Sequence, residues 1–254
     1  MTNRGRERES PEPSAPPEPA MWRRLTAEGF GTFALVTVAV GGDAFASLAS
    51  GEISAAARAI APALMVGALI YAIGDASGAH FNPAVTLAFA MRGLFPVRLV
   101  PGYWAAQIVG SLLAAGLIGV LVGPAMEHGV SAPHVVQPAV ALAIEVLLTT
   151  LLVTVILGTA DRSRIVGNEA ALAVGATIAL CGLIALPIEG ASMNPARSLG
   201  PALIAGRLSD VWIYLVGPIV GGAFAVGIAW LLHGPPPPDP KPRETAQGKG
   251  SADE

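Results

Sequence analysis

Two stretches, SGAHFNPAVTLAFA (residues 77–90) and EGASMNPARSLGPA (residues 189–202), carry one pattern: small residues, then Asn-Pro-Ala, then an apolar run. Proline suits the first helical position, where its missing N–H would have no partner anyway. The asparagine before it is a strong N-cap. Asn82-Pro83 and Asn194-Pro195 therefore predict two abrupt helix starts. The runs that follow, Pro83–Met91 and Pro195–Ala205, are too short to cross a bilayer and read as re-entrant half-helices, or else as simple surface loops.

Around them lie six longer apolar stretches, near the ~20 residues a spanning helix needs. They are Arg24–Gly42, Ala57–Gly74, Leu99–Val122, Val136–Gly158, Glu169–Pro187 and Val211–Leu232. The whole chain is 53% hydrophobic and 13% charged, with mean hydropathy +0.60. Soluble domains carry about 25% charge, so an ordinary soluble enzyme is excluded. A net charge of −3 leaves no basic footprint for nucleic acid. Cys181 is the sole cysteine, which excludes a disulfide framework and a cysteine-built metal site. His80, His128, His134 and His233 are scattered and no nucleophile–base pair is visible, so neither catalytic nor metal-binding residues are expected.

The two Asn-Pro-Ala copies belong to an internal repeat. Asn82 matches Asn194, Ile108-Val109-Gly110 matches Ile219-Val220-Gly221, and Glu28 matches Glu145, at offsets that nearly agree. Each half holds three spanning segments, an odd number, so the second half enters from the opposite side. The expected fold is an all-α membrane protein with six transmembrane helices, two re-entrant half-helices and an inverted 3+3 repeat. The channel domain is expected over 22–232, with repeats at 22–123 and 136–232. Residues 1–21 and 233–254 are charged and proline-rich, and composition predicts disordered tails there. Twelve of the 15 Lys and Arg residues fall on one side, among them Arg23, Arg24, Arg92 and Arg98. Both termini are therefore expected in the cytoplasm, with the protein multi-pass in the cell inner membrane.

Inverted repeats place their functional site at the midplane where they meet. Two facing helix starts bring two positive dipole ends there, and the asparagine amides can donate into a lumen. The segments before them, 77–81 and 189–193, cannot be helical throughout. Extended backbone of that kind survives at membrane depth where its carbonyls line a water-filled path. Gly78, Ala79, His80, Gly190 and Ser192 are thus expected to line a polar file with their backbone. A neutral solute can exchange hydration for these groups. A cation meets the two helix ends and Arg197, and outward-oriented central water breaks a proton chain.

The sequence resembles the major intrinsic protein family, the aquaporins and aquaglyceroporins, over about residues 22–232. SGAHFNPAVT and SMNPARSLGPA carry the match, with AEGFGTFALVTVAVG (27–41), GYWAAQIVG (102–110) and WIYLVGPIVGG (212–222) in support. EGASMNPARSLGPA and WIYLVGP are similar to the nodulin-like branch and its bacterial relatives. The resemblance implies a homotetramer in the lipid bilayer, one pore per protomer and no cofactor. It implies that Glu28 and Glu145 accept hydrogen bonds from the re-entrant loops.

It also implies a four-residue selectivity filter. Arg197, directly after the second Asn-Pro-Ala, is one member. Ala191, Gly182 and Pro62 fall at the other three positions, with Ala61 or Ala63 the alternatives for the last. Family members selective for water carry aromatic and histidine residues there, and none occurs here. The filter is therefore expected to be wide and to pass glycerol, urea or uncharged metalloid hydroxides as well as water. Ser198 stands where many glycerol facilitators carry Asp. The competing reading is a secondary transporter, since inverted repeats and broken helices also mark that class. Against it, no unpaired carboxylate is left inside the membrane to couple proton or sodium movement once Glu28 and Glu145 hold the loops.

Overall fold

The computed structural model describes residues 19–50, 52–160, 168–236, 243 and 246–248. The expected front tail falls almost wholly outside these residues, as do Arg4, Arg6, Arg8, Arg162, Arg164, Lys241 and Lys249. Eight α-helices are described: α1 (Met21–Leu48), α2 (Ala55–Ser77), α3 (Pro83–Met91), α4 (Val100–Val122), α5 (Pro138–Ala160), α6 (Asn168–Glu189), α7 (Pro195–Ala205) and α8 (Val211–His233). All but α3 and α7 are long and apolar enough to cross a membrane. A helix of 23 residues rises about 35 Å, enough for a hydrocarbon core of about 30 Å.

The short helices start where the sequence predicts. Asn82 and Asn194 cap them from extended backbone: Ala84 N donates to Asn82 Oδ1 at 2.9 Å, and Ala196 N to Asn194 Oδ1 at 3.0 Å. Spanning helices run slightly past their expected ends, most of all α1, which continues from Gly42 to Leu48.

Packing repeats with the sequence. α1 lies on α4 in the first half as α5 lies on α8 in the second, and α2 meets α6, its counterpart in the other half. Each half-helix crosses over: α3 packs on α8 and α7 on α4. Small residues make the crossings close. A Cβ at Gly110 would overlap the carbonyl of Gly29 on α1, and one at Gly221, the matching position, would crowd Val146 and Thr149 on α5. Close backbone approach is how helices associate in lipid, where burial of apolar surface gives no drive.

The polarity of the bundle follows from this. Leu64, Leu113, Val120, Leu172, Ile184 and Leu231 are exposed on the outside, while Glu28, Gln107, Glu145, Asn82, Asn194 and Arg197 are buried. Trp22, Trp212 and Trp230 are exposed, as interface anchors should be. Trp104 is instead half-buried against the core and donates from Nε1 to Pro83 O at 3.1 Å. Six spans put the start of α1 and the end of α8 on one side, here called the terminal face.

Candidate functional site

Between α2 and α3, and again between α6 and α7, five residues thread from a face to the midplane. Both loops use the same unusual backbone. Gly78, Ala79 and Phe81 have φ of 92°, 51° and 48°; Gly190, Ala191 and Met193 have 94°, 39° and 55°. For L-residues the left-handed region costs roughly 1–2 kcal/mol each. It turns consecutive carbonyls to one side, and it needs an external hold.

The two buried glutamates supply that hold. Glu28 on α1 accepts from His80 N (2.9 Å), Phe81 N (2.8 Å), Ser77 Oγ (2.7 Å) and Gln107 Nε2 (2.7 Å). Glu145 on α5 accepts from Ser192 N (2.6 Å) and Met193 N (2.8 Å). A tyrosine braces each loop from the third helix of its own half: Tyr103 donates to Ser77 O at 2.8 Å, and Tyr214 donates to Glu189 O.

At the midplane the asparagines tie the halves together. Asn82 Nδ2 donates to Met193 O at 2.8 Å and Asn194 Nδ2 to Phe81 O at 2.9 Å. Each amide thus spends one N–H on the opposite loop and keeps one. Both asparagines line a cavity of about 70 Å³ together with Pro62, Gly182, Ala191, Ser192 and Arg197. Ala61 and Ala63 do not line it, so α2 presents Pro62. Gly182 has a second duty, because a Cβ there would stand 3.1 Å from Ala59 Cβ on α2. Gly190 lines a larger vestibule of about 670 Å³ on the face opposite the termini. Gly78, Ala79 and His80 lie toward the terminal face and line neither space.

Arg197 is buried and fixed from the vestibule side. Its guanidinium donates to Gly129 O at 3.3 Å and to Ser131 Oγ, and Nη2 stands 3.7 Å from Asp43 Oδ2. Asp43 also accepts from Arg58 Nη1 at 2.6 Å. Two cations and one carboxylate therefore ring the mouth. His134 lines the vestibule as well; burial and the cations of Arg58 and Arg197 push its pKa down, against the pull of Asp43.

Three of these residues escape the sequence reading. The expected first span ends at Gly42, one residue short of Asp43, and only the continuation of α1 to Leu48 brings that carboxylate to Arg197. Arg58 is visible as a stray cation on the far side, but nothing in the pattern pairs it. Glu189 corrects an expectation: a third fully buried carboxyl exists, at the position that Ser77 holds in the first half. Its Oε1 accepts from Ala191 N at 2.9 Å and its Oε2 has no hydrogen-bond partner. It borders neither cavity, so it belongs to the loop rather than to the path.

Six spans, two half-helices meeting at capped asparagines and a cavity that reaches both asparagines and Arg197 define a membrane pore. The family model described as major intrinsic protein matches residues 17–229, and the chain belongs to that family. It is a multi-pass membrane channel. Aquaporin NIP1-1 of Zea mays is 45% identical over 211 residues, 83% of this chain and 74% of that protein. Aquaporin NIP1-1 of Oryza sativa subsp. japonica is 46% identical over 211 residues, 83% of this chain and 73% of that protein. Among solved structures, the aquaglyceroporin from Plasmodium falciparum superposes with a TM-score of 0.73 at 20% identity, covering 83% of this chain and 96% of that one. That likeness speaks for the fold.

Proposed function

We propose that this channel carries neutral solutes larger than water beside water itself, from the class of glycerol, urea and uncharged metalloid hydroxides. The observation that carries this reading is the lining of the narrow cavity. Pro62, Gly182 and Ala191 are small there, and Arg197 is the one large polar side chain among the four filter positions. Asp43 stands beside it. A hydroxyl-bearing solute can accept from the guanidinium and donate to the carboxylate, replacing both halves of its hydration. A cation faces Arg197, Arg58 and the positive ends of α3 and α7.

The left-handed loops aim their carbonyls into the path, and the remaining N–H of Asn82 and Asn194 serves passing oxygens at the centre. Glu28 and Glu145 position these loops and touch no solute. In the membrane the terminal face is cytoplasmic, following the basic residues, and the membrane is the cell's inner one. Four copies associate through their apolar outer faces, each with its own pore and without a cofactor. The chain performs no catalysis.

Pro62→Phe tests the wide filter. An aromatic ring at that position fills the cavity between α2 and Arg197. In proteoliposomes assayed by stopped-flow light scattering, the ratio of glycerol or urea flux to water flux should fall at least about tenfold. A fall of that size is a barrier increase of ~1.4 kcal/mol. An unchanged ratio, or a wild-type chain impermeable to glycerol, urea and arsenite while passing water, contradicts the wide-filter reading.

A further inference from the structure

After α8 the chain stays against the end of α3. Gly234 accepts from Arg92 Nη1 at 2.7 Å, the Arg92 guanidinium lies 5.1 Å from the Trp230 ring centre, and Pro236 packs 3.8 Å from where a Cβ of Gly93 would stand. These contacts hold the start of the C-terminal segment beside α3 on the terminal face. Twelve residues further on, Ala246 is 1% exposed. An extended chain of that length reaches about 40 Å, ample to cross the mouth of one protomer.

Ala246 lies inside the bundle. It belongs to the apolar cluster that contains Val85 and Phe89 of α3, Phe95, Tyr103 of α4, and Val153 and Leu157 of α5. Its carbonyl oxygen stands 2.9 Å from His80 Nε2. A carbonyl only accepts, so the ring donates from Nε2. His80 sits in the re-entrant loop two residues before Asn82, with its ring stacked 4.8 Å from that of Phe89. Gly248 follows in the left-handed region at φ 74°. Its backbone lies so near Ala76 and Ser77 that a Cβ would overlap the Ser77 nitrogen. The stretch Ala246-Gln247-Gly248 is slender enough for a path built to pass one small solute at a time.

We propose that the terminal-face end of the bundle, between His80, α3 and α5, is a docking site for this chain's own C-terminal segment, and that residues 246–248 seated there plug the pore. The Ala246 carbonyl takes the donor that a solute oxygen would take on passing His80, so plug and solute compete for one N–H. Gly234, held by Arg92, and Pro236, against Gly93, fix the start of this segment. This proposal rests on the reading of the lumen as a conducting path.

The test compares the full chain, the chain ending at Pro236 and full-length Gly248→Val, each in proteoliposomes with stopped-flow water and glycerol flux normalised to protein. Valine at 248 can adopt neither the left-handed backbone nor the close approach to Ser77. Both variants should conduct about fivefold faster than the full chain, and a synthetic peptide of residues 237–254 should slow the truncated form. Variants no faster than the full chain, with all three conducting, overturn the plug while leaving the channel intact. No conduction by any of the three contradicts the channel reading, and the plug falls with it.

Discussion

Glu28→Ala is expected to cost the channel its fold, not merely its speed. Four donors converge on that carboxylate, all of them buried. Each buried donor left without an acceptor costs about 1–3 kcal/mol. Two of the four, His80 N and Phe81 N, belong to the loop that also holds the left-handed Ala79 and Phe81. Without the carboxylate the loop relaxes to ordinary φ values and its carbonyls turn away from the path. A loss of ~4 kcal/mol corresponds to a drop in thermal midpoint of about 10 °C for a domain of this size. Thermal unfolding in detergent and solute flux should fall together. Glu145→Ala should follow in the same direction by a smaller amount, since two donors rather than four converge on it. A Glu28→Ala protein with wild-type midpoint and flux removes the glutamates from the account.

Arg197→Ala is the second large effect, and it acts on selectivity with the fold retained. The guanidinium fills the filter position with the most volume and supplies a fixed positive charge. One unit charge at 4 Å is worth about 4 kcal/mol at an effective dielectric of 20. Asp43 offsets part of that, and Arg58 remains bound to Asp43. Cation leak, read as dissipation of a sodium or pH gradient across proteoliposomes, should rise about tenfold or more. Glycerol and urea flux should rise with it as the opening widens. The unchanged exclusion of sodium and protons in Arg197→Ala would assign ion rejection to the helix ends alone.

Most of the fold is legible in the sequence because lipid leaves few options: apolar stretches of fixed length must be helices, and an odd number per repeat must invert. Asn-Pro-Ala makes the half-helix starts legible to the residue, since cap and first-turn proline are local chemistry. Tertiary consequences are less visible. Asp43 lies beyond a hydropathy boundary that α1 ignores, because a charged residue ends an apolar stretch in sequence but not a helix that can pair it with Arg197 and Arg58. Glu189 looks like loop polarity until its match to Ser77 shows a carboxyl where the other repeat uses a hydroxyl. The asparagine amides read as lumen donors, yet half of that capacity is spent on Met193 O and Phe81 O, a partner no one-dimensional pattern reveals. Composition marks residues 233–254 as a disordered tail, and the short Ala-Gln-Gly piece at 246–248 is too small to shift that average.

The central claim is a passive path for neutral solutes, and the temperature and concentration dependence of solute flux tests it most directly. Glycerol and urea flux into proteoliposomes should rise in proportion to concentration through the millimolar range, with a weak temperature dependence and no response to an imposed proton or sodium gradient. Flux that saturates at millimolar solute, depends steeply on temperature and accelerates with an ion gradient would contradict the channel and establish a coupled transporter built on the same inverted repeat.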